Sequence, residues 1–262
     1  MDKFFNYKGL KVYYHSNGEA KKGKVFIVHG IGEHIERYNR IEEFLVKDGF
    51  LVEGVDLLGH GQTSGKRGDI PSFELQFEIF DEAINFYPNE KTYLLCHSLG
   101  GLIGIRYLEE RKGLFKKAIV SSGIFYFDQS SLPKFLKIIS DILFKISPSF
   151  TLDNRIDVNE LSRNNEEIKK YVEDPLVHRK ISIRLFKEIL KNCEIVLSKT
   201  EDVPILILYS EFDKIVPPVS SKLLYDLWKG EKIIKSYSMK HELFNDPEGD
   251  KVIKDILEFL NK

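Results

Sequence analysis

Apolar residues fall in short β-type runs that alternate with helical faces along most of the chain. Phe4-Phe5-Asn6-Tyr7 and residues 10–15, joined at Lys8-Gly9, read as a β-hairpin. Lys24–Val28 is a compact β-rich run ending at His29-Gly30; Ile41, Phe44 and Leu45 then form a helical face that stops at Asp48-Gly49. The same reading gives a strand at 50–57, a helix at 73–87, a strand at 93–96, a helix from about 100 to 111 and a strand at 118–121. Near the end come a strand at 204–209, a helix around 221–228 and a strand at 233–237. Asp246-Pro247, a capping residue followed by proline, announces the final helix. Such alternation predicts an α/β protein whose mostly parallel sheet is flanked by helices on both faces.

One region breaks the rhythm. Residues 126–198 show helical patterns and no convincing strand. Leu132, Phe135, Leu136, Ile139, Ile142, Leu143 and Ile146 share one helical face, and Ser147-Pro148 ends it. The expected organisation is a core of 1–125 and 199–262 with a helical cap or lid, 126–198, inserted over the strand ends, where ligands bind in such sheets. Periodicity alone leaves the stripe either ordinary core packing or the lining of an acyl-sized pocket, with Leu136, Ile139 and Leu143 as its candidate wall.

Composition narrows the function. The 262 residues carry 39 Lys+Arg against 40 Asp+Glu, which leaves no positive excess for a phosphate backbone and disfavours nucleic acid as a partner. Two cysteines, Cys96 and Cys193, build no disulfide framework and suit a reducing compartment. No apolar leader or membrane-length apolar run occurs, so the expected location is cytoplasmic. The Lys/Glu/Ile-rich, Ala-poor composition fits growth at high temperature and an AT-rich genome equally well.

The chemistry concentrates at Tyr93-Leu94-Leu95-Cys96-His97-Ser98-Leu99-Gly100-Gly101. An apolar strand runs straight into a serine, and glycines follow as a helix begins, which is the arrangement of a nucleophile elbow. Cys96 stands where G-x-S-x-G has its first glycine, and read alone the segment also fits a capped turn. A serine needs a base that is oriented by a third group. Asp213 and His241 follow in that order, each just past a predicted strand and so at the same sheet edge as Ser98. Other acids are less well placed: Glu211 comes too early, Asp202 precedes its strand, and Asp246 looks like a helix cap. For an oxyanion hole, the N–H of Leu99 and that of Ile31, in His29-Gly30-Ile31-Gly32-Glu33-His34, are the expected donors. No complete G-x-G-x-x-G or G-x-x-x-x-G-K-[ST] occurs, and the histidines match no ligand spacing, so neither a cofactor nor a metal is expected.

HGIGEH followed by Arg37-Tyr38, the stretch Asp56-Leu57-Leu58-Gly59-His60-Gly61-Gln62-Thr63-Ser64-Gly65, HSLGG, Tyr171-Val172-Glu173-Asp174-Pro175-Leu176-Val177 and KHELFNDPE together resemble the monoacylglycerol lipase and lysophospholipase branch of the α/β-hydrolases. The resemblance implies an eight-stranded core sheet, a helical cap, a Ser98–Asp213–His241 triad and cofactor-free hydrolysis of esters with one long acyl chain and a small polar head. It places Glu33 and Arg37 at the head-group end, although they equally suit a structural ion pair; His97, beside the serine, is a further candidate for substrate contact. The partner it implies is a small lipid ester, met through transient contact of the cap with lipid interfaces.

Three other readings share much of this pattern. A lysophospholipase or short-chain carboxylesterase would carry the same triad. A peptidase would need an acidic, amine-binding patch, for which Glu160, Glu166, Glu167 and Glu173 are the candidates. A binding protein on an inactive scaffold would not need intact Ser98, Asp213 and His241.

Overall fold

The computed structural model describes all residues except 128–133 and 197–201, and the side chains of 134–139 also lie outside the description. The chain opens with strands β1 (Asp2–Tyr7) and β2 (Leu10–Asn17), paired antiparallel. Their turn is tight because Lys8 and Gly9 both take positive φ, +49° and +83°, which matches the twist of a two-residue hairpin. Next come β3 (Lys24–Val28), α1 (Asn39–Lys47), β4 (Leu51–Val55), α2 (Phe73–Ile84), β5 (Thr92–His97), α3 (Leu99–Glu110) and β6 (Phe115–Ser121). An excursion follows: α4 (Lys134–Ile146), β7 (Thr151–Asp153), α5 (Asn165–Glu173), β8 (Lys180–Ser182) and α6 (Ile183–Val196). The chain returns as β9 (Ile205–Ser210), α7 (Val219–Leu227), β10 (Lys232–Tyr237) and α8 (Gly249–Asn261).

Eight strands form one sheet in the order β1-β2-β4-β3-β5-β6-β9-β10, parallel from β4 onward. Side chains alternate across it, so β5 sends Leu94 and Cys96 to one face and Tyr93 and Leu95 to the other. The first face packs against Phe77 and Phe80 of α2, Leu102 and Tyr107 of α3 and Leu224 of α7; the second against Ile41 and Leu45 of α1 and Ile253 and Ile256 of α8. Both faces are therefore dry, as an all-parallel centre requires. No described helix is long and apolar enough to cross a membrane.

Three sequence expectations need correction. The excursion is not all helical, since β7 and β8 pair antiparallel as a two-stranded ribbon. Strands of three residues are too short to show a period. Helix α8 starts later than expected, with Glu248 as its N-cap; Asp246 stands in the turn before it, where its carboxylate accepts the Glu248 N–H at 3.0 Å and its carbonyl the Gly249 N–H at 2.9 Å. Lastly, the described end of the apolar stripe is largely open to solvent: Ile142 and Ile146 on α4 are 51% and 75% exposed, and Leu143 is half-buried. Leu132 lies outside the described residues, as do the side chains of Phe135, Leu136 and Ile139.

Candidate active site

Ser98 stands between the last residue of β5 and the first of α3, at φ +53° and ψ −122°. This is a strained conformation for a residue with a side chain, and it is what a sharp strand-to-helix turn demands. The turn closes only because Gly100 has no Cβ: one there would lie 2.2 Å from the Val28 carbonyl oxygen. Cys96, in the place of the first glycine, is fully buried beneath the turn with its Sγ 3.4 Å from the Ile119 carbonyl oxygen. Burial pushes its thiol up, which keeps it neutral and unreactive.

Asp213 lies in the turn after β9 and His241 in the loop after β10, so both reach the same edge of the sheet. His241 Nδ1 donates to Asp213 Oδ2 at 2.7 Å, while Asp213 Oδ1 accepts the N–H groups of Ile215 and Val216, each at 2.9 Å. Burial pulls the His241 pKa down, but the charge and hydrogen bond of Asp213 outweigh it, with Glu242 and Glu33 adding to the rise. The Asp213 carboxyl, though desolvated, is held below its ordinary value by His241 and those two amides. With Nδ1 committed to Asp213, Nε2 is the free acceptor. Ser98 and His241 share the wall of a small cavity with Ile31, Glu33, His97, Tyr171 and Glu242. No hydrogen bond joins the Ser98 hydroxyl to His241 among the described residues; in hydrolytic sites this contact commonly tightens only when substrate binds.

A second cavity, of about 490 Å³, opens from Ser98 on the other side. Its walls are mostly apolar: Ile31, Leu99, Ile124, Tyr126, Phe127, Ile156, Ile181, Phe186, Ile189, Ile215 and Val216. Ile31 and Leu99 line this cavity together with Ser98, and Leu143 is not part of the lining. The loop carrying Ile31 is tied to the excursion, because the His178 N–H donates to the Gly32 carbonyl at 2.9 Å and His34 Nε2 lies 2.8 Å from Asp174 Oδ2.

Glu33 Oε1 accepts the Gly30 N–H at 2.7 Å and the Tyr38 hydroxyl at 2.9 Å. Arg37 donates to Glu242 Oε2 at 2.8 Å, lies 3.8 Å from Glu33 Oε2 and stacks on the Tyr171 ring at 4.5 Å. These residues form a buried ion network and, at the same time, line the small polar cavities behind Ser98. His97 donates from Nδ1 to the Ser121 carbonyl at 3.0 Å and lies against His241, with ring centroids 4.7 Å apart. Burial and the neighbouring His241 pull its pKa down to about 3, so it is neutral at working pH.

Sequence reasoning missed Glu242 and Tyr171 as walls of this cavity. Glu242 is adjacent to His241 in the chain, but Tyr171 reaches the site only through the fold. Among the alternative acids, Glu211 is exposed and bonded to the Tyr209 hydroxyl and Lys222. Asp202 precedes β9 and so lies at the opposite end of the sheet. The four glutamates of the peptidase reading line neither cavity of Ser98; Glu160 pairs with Lys214 and Glu167 with Lys170. A larger polar groove of about 740 Å³, walled by residues such as Glu36, Arg40 and Lys170, does not include Ser98. No group of three or more His, Cys, Asp or Glu suited to a metal occurs among the described residues.

Comparison with known proteins gives the family. The profile of the family described as "Serine aminopeptidase, S33" matches residues 19–248. The crystal structure of a monoacylglycerol lipase from Paleococcus ferrophilus superposes with a TM-score of 0.88 at 37% identity, covering 95% of this chain and 98% of that one. The monoglyceride lipase of Homo sapiens is 31% identical over 82% of this chain and 74% of its own length. Phospholipase YtpA of Bacillus subtilis is 30% identical over 88% of this chain and 92% of its own. The chain belongs to the serine aminopeptidase S33 family of α/β-hydrolases, in the branch that contains the monoacylglycerol lipases.

Proposed function

We propose that this chain is a serine esterase that cleaves monoacylglycerols to a fatty acid and glycerol. The observation that carries the reading is the Asp213–His241 pair, whose free Nε2 shares a cavity with a strained Ser98 at the foot of an apolar chamber. His241 Nε2 takes the Ser98 proton as Oγ attacks the acyl carbonyl, and the N–H groups of Ile31 and Leu99 hold the oxyanion that forms. Collapse of the intermediate breaks the ester bond, and His241 returns the proton to the leaving glycerol oxygen. Water, deprotonated by the same imidazole, then cleaves the acyl-enzyme and releases the fatty acid. The apolar chamber takes the chain; Glu33, Arg37 and His97 meet the head group.

The polar side favours glycerol over a phosphate-bearing head. Among the described residues of the two small polar cavities the cation is Arg37, which already faces two carboxylates, Glu33 and Glu242, beside a neutral His97, whereas Arg155 lies with Asp153 in the wall of the larger chamber. That balance is negative and repels phosphate, while carboxylate oxygens accept hydroxyl protons readily. Residues 126–198 serve as the cap, with exposed Phe144, Ile146 and Phe150 available to a lipid interface. The working compartment is the cytoplasm. The deciding experiment compares monoacylglycerol with lysophospholipid of equal acyl length: faster turnover of the glycerol ester is expected, and a preference for the phospho-ester would move the assignment to a lysophospholipase.

A further inference from the structure

Two serines that take no part in this chemistry stand beneath the loop that carries His241. Ser122 follows the last residue of β6, is 1% exposed and sits at φ +48°. This is the left-handed region, which a residue with a side chain occupies only under constraint. Its N–H donates to the Leu208 carbonyl at 2.8 Å, and its hydroxyl donates to the carbonyl of His241 at 3.0 Å. Ser210, the last residue of β9, is fully buried and donates its hydroxyl to the Met239 carbonyl at 2.5 Å. The base loop is thus held at two carbonyls by hydroxyls from two adjacent strands. On the other side, the Ser98 N–H donates to the Ser121 carbonyl at 3.0 Å. Consecutive residues at the end of β6 therefore grip both the nucleophile and the base.

We infer that Ser122, supported by Ser210, is a positioning residue that sets where the His241 imidazole stands relative to Ser98, an inference that rests on the hydrolase reading above. The loop between β10 and α8 lies outside the sheet ladder. Backbone bonds tie it to the excursion, His241 N–H to the Glu160 carbonyl at 3.3 Å and Glu242 N–H to the Leu161 carbonyl at 2.7 Å, while the two serine hydroxyls hold it to the sheet edge that carries Ser98. A misplacement of about 1 Å is enough to cost roughly 100-fold in rate. The groups facing His241 are Asp213 from the turn after β9, His97 from β5, Glu33 from the loop after β3, Tyr171 from α5, and Glu242 beside it. Of these, Asp213 bonds its Nδ1 directly, so a loosened ring loses that contact first.

Ser122→Ala keeps the strained backbone and removes the hydroxyl, whereas Ser122→Gly removes the hydroxyl and relieves the strain. Both, made in the full chain, should lower kcat on a butyryl ester by roughly 10- to 100-fold with KM little changed. The Nδ1 proton of His241, followed by NMR against pH, should titrate nearer the ordinary histidine value in both variants, because a looser imidazole pairs less with Asp213. Ser210→Ala should move both readouts in the same direction. The titration needs no turnover, so it tests the hold on His241 separately from the hydrolase reading. That reading fails instead if Ser98→Ala retains wild-type activity. The inference is overturned if Ser122→Gly keeps wild-type kcat and titration. It is also overturned if the Ala variant loses activity only in step with its melting temperature and Gly restores both.

Discussion

Arg163 grips Asp246 through two bonds, Nε to Oδ2 at 2.8 Å and Nη2 to Oδ1 at 2.6 Å. Arg163 lies just before α5 in the excursion, and Asp246 is fully buried shortly after His241. The aspartate that reads as a helix cap in sequence is thus a tie between the excursion and the loop of the base. Asp246→Asn should lower the melting temperature by about 2–4 °C, the size expected of ~1 kcal/mol in a chain of this length. Turnover of a butyryl ester should change only a few-fold. A large kcat loss at unchanged melting temperature would mean that the tie acts on the chemistry instead.

Ser98→Ala should remove nearly all esterase activity, roughly 10⁴–10⁶ in kcat, because members of a triad act as a unit. A fluorophosphonate probe should label the native protein at Ser98 and leave the variant unlabelled. Retention of a tenth of native turnover would exclude Ser98 as the nucleophile.

Asp213→Asn should cost several orders of magnitude in kcat, since the imidazole loses both its orienting acceptor and the partner of its charged form. Glu211→Gln, which alters an exposed carboxylate bonded to Tyr209 and Lys222, should cost far less. Steady-state kinetics on the two variants rank them directly, and the opposite order would relocate the acid.

His241 must be neutral to accept the Ser98 proton, so activity is lost as pH falls through its pKa. Asp213 outweighs burial and holds that pKa above the ordinary histidine value of ~6.5. The acid limb of kcat/KM should therefore have its midpoint above ~6.5 and level off at higher pH. Residual activity in Asp213→Asn should show the limb displaced to lower pH, because burial then acts without the opposing carboxylate. A limb unmoved by that substitution would count against the pair.

Each methylene buried in the apolar chamber should add up to ~0.8 kcal/mol of binding until the space is full, giving a rise in kcat/KM with chain length and then a plateau. Phe127→Ser should flatten that rise for long chains and spare butyryl esters. Leu143→Ser should leave the profile unchanged, since Leu143 does not line the chamber. Equal losses on short and long esters with Phe127→Ser would show that Phe127 serves packing and not chain binding.

The sheet was legible because buried parallel strands are continuous apolar runs: Lys24–Val28 has the expected bounds, and 204–209 is shifted by one residue from Ile205–Ser210. Ser98, Asp213 and His241 stood out because each follows such a run. What remained hidden depends on long-range contacts. A 3.6-residue period says that Ile142, Leu143 and Ile146 share a face, but not what that face meets, and here much of it meets solvent. Asp246 carries the local signature of a cap, yet its partner, Arg163, lies far away in sequence. Tyr171 and Ser122 carry no local signature of their roles at all.

Helix α6 belongs to two parts of the molecule at once. Leu185, Ile189, Cys193 and Val196 are buried in the main core beside α3, while Phe186 and Ile189 wall the apolar chamber. Ile189 does both. Substrate preference and thermal robustness are therefore entangled along this helix: reshaping the chamber at Ile189 leaves a hole in, or overfills, the packing beneath the sheet. Diversification toward other chain lengths is least constrained at Tyr126, Phe127 and Ile156, which touch the chamber and stand outside the core, so a library aimed at selectivity belongs there, and one aimed at heat resistance belongs on α6.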